Sequence, residues 1–235
     1  MWLFDKQYSI IDSGFLKGWT DWHSHILPSV DDGIKTLEDS LRVLDYYEEH
    51  GVEKVFLTPH IMADIPNKTS DLRARFEQLK AAYHGPIQLA LASENMIDKL
   101  FEKRLEEDDL LTLTDNSLLI ETSCINPPMH FWEIIDRIKS KGYCPMMAHP
   151  ERYSYMGEDD YKRLRRKEVE LQLNLPAVAG MYGHIVQQKA FWLLKNGMYQ
   201  CCGSDLHDLK IASAAFERKA FPRKILKAIE ETIDF

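Results

Sequence analysis

The stretch WTDWHSH, residues 19–25, joins a short apolar run to side chains that can bind a metal ion. Residues 19–22 predict a buried strand, and His23 and His25 stand two residues apart just beyond it. Side chains two residues apart in an extended segment point to the same side, so both histidines can reach one ion. Strands that end in histidines or acids recur along this chain, and the predicted fold follows from that recurrence.

Six further apolar runs predict strands, and helical spacing separates most of them. These strands cover residues 52–57, 87–92, 117–120, 145–148, 171–175 and 199–203. Helices are predicted from the Thr36 cap to Gly51, over residues 71–83, 129–141 and 186–196, and from Pro222 onward. Strands that alternate with helices are typical of a parallel α/β sheet.

Six of the seven predicted strands are followed by a histidine or an acid. An α/β barrel brings the carboxyl ends of all its strands to one face, whereas an open sheet spreads them along an edge. We therefore predict a distorted (β/α)7 TIM-like barrel with its site at that face. The side chains concerned are Asp21, His23, His25, His60, Glu94, Glu121, His149, Asp205 and His207.

No internal repeat or low-complexity linker divides the chain, so residues 1–235 are predicted to form a single domain. Residues 1–18 precede the first predicted strand as an N-terminal extension to which the sequence assigns no role. Its apolar residues Trp2, Leu3 and Phe4 are expected to pack on the barrel, with a partner surface as the alternative.

The charge balance and the cysteines narrow the class of protein. Lys and Arg number 29 against 37 Asp and Glu, a net charge of -8, which disfavours a nucleic-acid partner. No segment has the roughly 18 apolar residues of a membrane span, so no direct membrane insertion is expected. The four cysteines form no CxxC pair and are interpreted as buried thiols in a reducing compartment, which predicts a cytoplasmic protein.

The residue types after the strands indicate a metal. Histidine nitrogens together with carboxylate oxygens suit zinc, manganese or iron, whereas calcium and magnesium prefer oxygen alone. A single histidine is usually an ordinary core or surface residue, as we expect for the four histidines outside strand ends. Five histidines at strand ends instead favour a metal centre.

The ordered set DWHSHILPSVDDG, TPHIM, LLIETS, AHPERY and GSDLH resembles the polymerase and histidinol phosphatase (PHP) superfamily. More narrowly, it resembles the bacterial manganese-dependent protein-tyrosine phosphatases of capsule and exopolysaccharide loci. The resemblance covers about residues 20–209. It implies the PHP fold, a distorted (β/α)7 barrel with three divalent metal ions, manganese before iron or zinc.

The resemblance also implies the ligands of the three metals. They are His23, His25, Glu94 and Asp205 for the first metal; Glu94, Glu121 and His149 for the second; and Asp32, His60 and His207 for the third. Asp31 is an alternative to Asp32, but the family pattern favours the acid directly before Gly33. Asp21 is expected to be a buried residue behind the ligands.

Divalent metals would polarise a phosphoryl group and make hydroxide available near neutral pH, so we expect in-line attack by a metal-bridging hydroxide. Arg152 would donate two parallel hydrogen bonds to the phosphate, with a surface salt bridge as its alternative role. Asp205 or His207 would protonate the leaving oxygen.

Substrate contacts follow less directly from the residues. Tyr153 and its loop neighbours could form an apolar wall against a phosphotyrosine ring, or could be ordinary loop packing. The residues considered are Tyr153, Tyr155, Met156, Met181 and Tyr182. Some capsule phosphatases carry Arg-Pro-Pro after the last Asp-x-His, where this chain has DLHDLKIASA, so Lys210 or Lys189 would have to replace that arginine.

The resemblance implies a protein-tyrosine phosphatase whose partner is the phosphotyrosine tail of a polysaccharide-assembly tyrosine kinase. A small-molecule phosphatase, such as a histidinol phosphate phosphatase, is the first alternative. A metal-binding regulator that docks a kinase without turnover is the second.

Overall fold

The computed structural model describes residues 6–232. The predicted packing of Trp2, Leu3 and Phe4 therefore lies outside the described residues. Within them, none of the helices is long and apolar enough to cross a membrane.

Eleven strands are present among the described residues. They are β1 (Gln7–Tyr8), β2 (Thr20–Ser24), β3 (Lys54–Leu57), β4 (His60–Ile61), β5 (Gln88–Leu91), β6 (Glu94–Met96), β7 (Ser117–Glu121), β8 (Cys144–Ala148), β9 (Glu170–Asn174), β10 (Cys201–Gly203) and β11 (Phe221–Pro222). Each of the seven predicted strands is found, with shifted ends. The second and third continue beyond a break as β4 and β6.

The helices alternate with the strands. They are α1 (Ile10–Ser13), α2 (Leu37–Glu49), α3 (Thr69–Ala82), α4 (Lys99–Glu107), α5 (Phe131–Ser140), a 3-10 helix (Pro150–Arg152), α6 (Glu158–Arg166), α7 (Leu175–Val178), α8 (His184–Lys195), α9 (Leu209–Glu217) and α10 (Arg223–Thr232). The sequence pattern did not predict α1, α4, α6, α7 or α9. Each has nine residues or fewer, which is shorter than the stretch over which helical spacing can be recognised.

The strands form a curled, mainly parallel arrangement. One parallel sheet has the order β2-β3-β5 and the other β10-β9-β8-β7-β6-β4. On the β10 side the Asp205 amide donates to His23 O at 2.7 Å and the His25 amide donates to Leu206 O at 2.9 Å, which connects the two sheets. On the other side, β3 and β5 of the smaller sheet continue along the chain into β4 and β6 of the larger one. The result is a mixed α/β fold in which side chains from β2, β4, β6 and β7 and from the residues just after β8 and β10 lie close together.

The described part of the N-terminal extension belongs to the folded core. Strand β1 pairs antiparallel with β11, with Tyr8 opposite Phe221. Ser9 caps α1 by accepting a hydrogen bond from the Asp12 amide, and Phe15 and Leu16 are buried in the main core. The extension thereby joins the two ends of the described chain.

The cysteines agree only in part with the prediction of buried thiols. All four are free, and Cys201 and Cys202 are buried. Cys144, however, is exposed and Cys124 is half-buried, so the prediction is wrong for these two. Cys144 opens β8 at the end of the sheet opposite the strand carboxyl ends, where a side chain is not covered.

Candidate metal centre

The first cluster at the strand ends contains His23, His25, Glu94 and Asp205, all of them buried. His23 Nε2 lies 3.1 Å from both Glu94 Oε2 and His25 Nε2. Asp205 Oδ1 lies 3.4 Å from His25 Nε2 and 3.5 Å from His23 Nε2. Two nitrogens and two carboxylate oxygens thus surround one small volume, and these are the four residues expected at the first metal.

The second cluster contains His60, Glu94 and Glu121. His60 Nδ1 lies 3.1 Å from both Glu94 Oε2 and Glu121 Oε1. These three atoms are buried, and none has a hydrogen-bond partner among residues 6–232. A buried polar atom without a partner is costly, so three such atoms facing one another fit the donor set of a cation. His149, expected here, lies beside this cluster with Nε2 at 2.8 Å from Glu94 Oε1.

The third cluster contains His25, Asp32, His60 and His207. Asp32 Oδ1 lies 3.5 Å from His60 Nε2 and 3.4 Å from His207 Nε2, and its side chain is 66% exposed at the mouth of the site. His60 therefore faces two clusters, whereas the sequence placed it in the third alone.

Asp31 and Asp32 have different roles. The buried Asp31 carboxylate accepts hydrogen bonds from His25 Nδ1 at 2.7 Å and from the His60 amide at 3.0 Å. It therefore fixes His25 from behind, while Asp32 faces the cluster, as the family pattern favoured. Gly33 is required because a Cβ there would lie 2.3 Å from His25 O.

A hydrogen-bond partner on the side of the ring away from the clusters also orients His23. Its Nδ1 lies 2.7 Å from Gln172 Oε1, which can only accept, so Nδ1 donates and Nε2 keeps its lone pair. Sequence reasoning missed Gln172, because an amide inside a predicted strand gives no sign of a metal site. Asp21 is fully buried, as expected, and accepts hydrogen bonds from Tyr47 of α2 and from Ser204 just after β10, which connect β2 to both elements.

Two site residues adopt left-handed backbone conformations. His149 has φ 35° and Asp205 has φ 52°, at the ends of β8 and beyond β10. Such conformations in non-glycine residues cost about 1–3 kcal/mol each and concentrate at functional sites. Here they turn both side chains toward the clusters.

The acids and histidines of the clusters strongly shift each other's pKa values. Burial lowers the pKa of His60, but attraction to Glu94 and Glu121 outweighs it and raises that pKa to about 10. Burial raises the pKa of Glu94, yet the surrounding histidines lower it well below its ordinary value. The buried carboxylates thus require positive charge, which either protons or divalent cations can supply.

A pocket of about 340 Å³ opens beside the clusters and includes Asp32, Arg152, Asp205 and His207. Arg152 donates to Asp205 Oδ2 at 2.6 Å and is 27% exposed, so it reaches the pocket. Its guanidinium lies 4.7 Å from the centre of the Tyr182 ring. The surface salt bridge considered for Arg152 is therefore replaced by a partly buried ion pair within the site.

The sixth strand also contributes to the site, which the sequence did not predict. Asn174 ends β9 and donates from Nδ2 to Asp205 Oδ2 at 2.9 Å. An asparagine is neither a histidine nor an acid, so the rule used for the other strand ends could not identify it. Only its position beside Asp205 shows the contribution.

Several expected substrate contacts face elsewhere. Tyr153 is fully buried and its hydroxyl donates to Ala148 O at 2.9 Å, so its position does not support a substrate contact. Met156 is buried as well. The Lys189 ammonium donates to Tyr153 O and Met156 O and is not free to replace an arginine. Lys210 is exposed on α9 and does not line the pocket.

The family model for capsular polysaccharide synthesis proteins of the CpsB/CapC type matches residues 19–228. The chain belongs to this family. Among its curated relatives is the tyrosine-protein phosphatase YwqE of Bacillus subtilis strain 168, which is 27% identical over 197 residues, or 81% of this chain and 78% of that protein. The tyrosine-protein phosphatase CpsB of Streptococcus agalactiae is 26% identical over 217 residues, 81% of this chain and 84% of that protein.

A solved structure of this CpsB/CapC type has the same fold. This structure belongs to a set of crystal structures of YwqE from Bacillus subtilis and CpsB from Streptococcus pneumoniae, which are described as unique metal-dependent tyrosine phosphatases. It superposes with a TM-score of 0.78 at 25% identity and covers 91% of this chain and 87% of its own. The residues of the extension before Trp19 lie outside the family match.

Proposed function

We propose that this protein is a metal-dependent protein-tyrosine phosphatase. The observation that carries the proposal is the buried set of facing, unpartnered atoms on His60, Glu94 and Glu121, beside a pocket that contains Arg152. Such a set fits divalent cations, and a cationic side chain beside it fits a phosphate. The relatives named tyrosine-protein phosphatases support the same activity.

The donor set fits more than one ion. We propose that three divalent metals bind, manganese first and iron or zinc as alternatives, because the ligand atoms form three overlapping clusters of nitrogen and oxygen. The proposed ligands are His23, His25, Asp32, His60, Glu94, Glu121, His149, Asp205 and His207. Bound divalent ions would polarise the phosphoryl group and supply hydroxide near neutral pH.

The chain's own residues bind and orient the substrate. Arg152 would exchange its bond to Asp205 for two parallel hydrogen bonds to the non-bridging phosphate oxygens. Asn174 holds Asp205 Oδ2 at 2.9 Å during that exchange, so Asp205 keeps a partner. His207 lines the pocket together with Arg152, and we propose it to protonate the leaving oxygen. Asp205, the alternative donor, is disfavoured because the neighbouring histidines lower the pKa of its carboxyl and keep it ionised.

The distribution of exposed apolar side chains supports a protein substrate. Six large apolar residues of the described chain are exposed. Four lie between a strand's carboxyl end and the first turn of the following helix, and Met181 and Ile185 lie beyond the four-residue helix α7, up to the first turn of α8. The six residues are Leu37, Ile125, Met129, Met181, Ile185 and Ile211. Exposed apolar surface at one end of a protein is typical of a binding face for a polypeptide. A small polar substrate such as histidinol phosphate would not need it.

We propose the tail of a bacterial tyrosine kinase as that polypeptide, supported by the family's role in capsular polysaccharide synthesis. A cytoplasmic location is proposed because the four cysteines form no disulfide.

We further propose that the two sheets form a single-domain, distorted (β/α)7 barrel. The hydrogen bonds that join the β10 end of one sheet to β2 of the other, Asp205 N to His23 O and His25 N to Leu206 O, support this closure.

The test is to load the purified protein with manganese and to measure hydrolysis of a phosphotyrosyl peptide, a phosphoseryl peptide and histidinol phosphate. We expect the phosphotyrosyl peptide to be cleaved fastest. Hydrolysis of histidinol phosphate alone would overturn the proposal in favour of a small-molecule phosphatase. No hydrolysis of any substrate would favour a metal-binding regulator.

A variant links the activity to the proposed ligands. His149→Ala should lower both bound manganese and kcat, the latter by at least about a hundredfold, since even partners behind a ligand are worth 10- to 100-fold. The matched control is His184→Ala, because His184 is exposed at the start of α8. Turnover of His149→Ala equal to wild type would contradict the ligand assignment.

A further inference from the structure

The pocket beside the metal centre is lined by residues of two chemical kinds. Arg152, His207 and Asp32 are polar or charged, and Arg152 would hold a phosphate there. Pro176, Met181, Ile211 and Ala212 are apolar. The organic substituent of a phosphate monoester held by Arg152 would therefore share the pocket with these apolar residues.

Tyr182 lines the same pocket. Its ring lies 4.7 Å from the Arg152 guanidinium, and its hydroxyl accepts a hydrogen bond from Asn174 Nδ2 at 3.2 Å. Because both contacts come from residues of the site, the ring orientation is coupled to the phosphate-binding arginine.

Met181 and Ile211 remain partly uncovered in this pocket, at 38% and 54% exposure. They come from separate segments, the turn between α7 and α8 and the first turn of α9. Covering partly exposed apolar area with a flat ring is favourable by about 25 cal/mol per Å². A short alkyl or hydroxyalkyl substituent would cover much less of it.

We propose that Met181 and Ile211 are specificity-determining residues that contact the ring of an aryl phosphate and select aryl over alkyl phosphate monoesters. This inference rests on the proposed function. Among the loop residues considered from the sequence, Met181 and Tyr182 line this pocket, while the buried Tyr153 and Met156 do not. Ile211 also lines this pocket, from the first turn of helix α9.

The test uses binding of two phosphonates that cannot be hydrolysed, phenylphosphonate and methylphosphonate, measured by calorimetry on the manganese-loaded protein. The double variant Met181→Ala/Ile211→Ala should weaken phenylphosphonate about tenfold and change methylphosphonate by less than about twofold. In kinetics, KM for phenyl phosphate should rise while kcat changes little, since the reacting atoms are untouched. Ile185→Ala is the control, because Ile185 is 75% exposed nearby and does not line the pocket.

Equal weakening of both phosphonates, or no weakening of either, would overturn the inference while leaving the phosphatase proposal intact. Failure of the proposed function has a different signature, since the wild-type protein would then hydrolyse neither phenyl phosphate nor a phosphotyrosyl peptide. Circular dichroism of the double variant provides the check that both apolar truncations leave the fold unchanged.

Discussion

A substitution at Asp31 should affect metal binding indirectly, through the side chain of His25. The Asp31 carboxylate accepts from His25 Nδ1 and so directs His25 Nε2 toward Glu94 and Asp205. Asp31→Ala should therefore weaken manganese binding by about 10- to 100-fold, measured by calorimetry. Asp64→Ala, at an exposed acid outside the clusters, should leave it unchanged. Unaltered affinity of the Asp31 variant would show that His25 needs no such support.

At the scale of elements, the N-terminal extension is expected to stabilise the fold. Phe15 is 4% exposed within the main core, next to a short helix that packs against α9. Phe15→Ala should lower the free energy of unfolding by about 3–5 kcal/mol, measured by urea denaturation. Lys17→Ala, at an exposed position two residues on, should change it by less than about 0.5 kcal/mol. A loss below about 1 kcal/mol for Phe15→Ala would mean that the extension is dispensable.

For the whole molecule, metal removal should cost stability, because the buried carboxylates lose the cations that balance them. Metal at a hundred times its Kd stabilises a protein by about 2.7 kcal/mol. For a chain of this length each kcal/mol shifts Tm by about 2–4 °C, so chelation with EDTA should lower Tm by roughly 5–10 °C. Differential scanning calorimetry checks this, with His149→Ala expected to show a smaller shift. A Tm that EDTA leaves unchanged would argue against metal binding in the buried clusters.

The alternation of strands and helices and the placement of acids and histidines after strands could be predicted from the sequence. Both depend on local pattern: apolar periodicity marks a strand, and the next few residues mark its carboxyl end. The break in the second strand also has a local signal, since Pro59 lacks an amide hydrogen and His60 follows it directly. The short helices α4, α6 and α9 were not predicted, because nine residues repeat the helical spacing too few times to identify it.

A parallel α/β fold and the donor types that favour a metal centre could be predicted from the order of amino acids, because both depend on neighbours along the chain. The assignment of each donor to a cluster required the folded structure. His60 lies between two clusters, Asp31 supports His25, and Tyr153 turns into the core, each through contacts with segments far away in sequence. Side-chain direction depends on packing and hydrogen bonds across strands, and no local pattern encodes those partners.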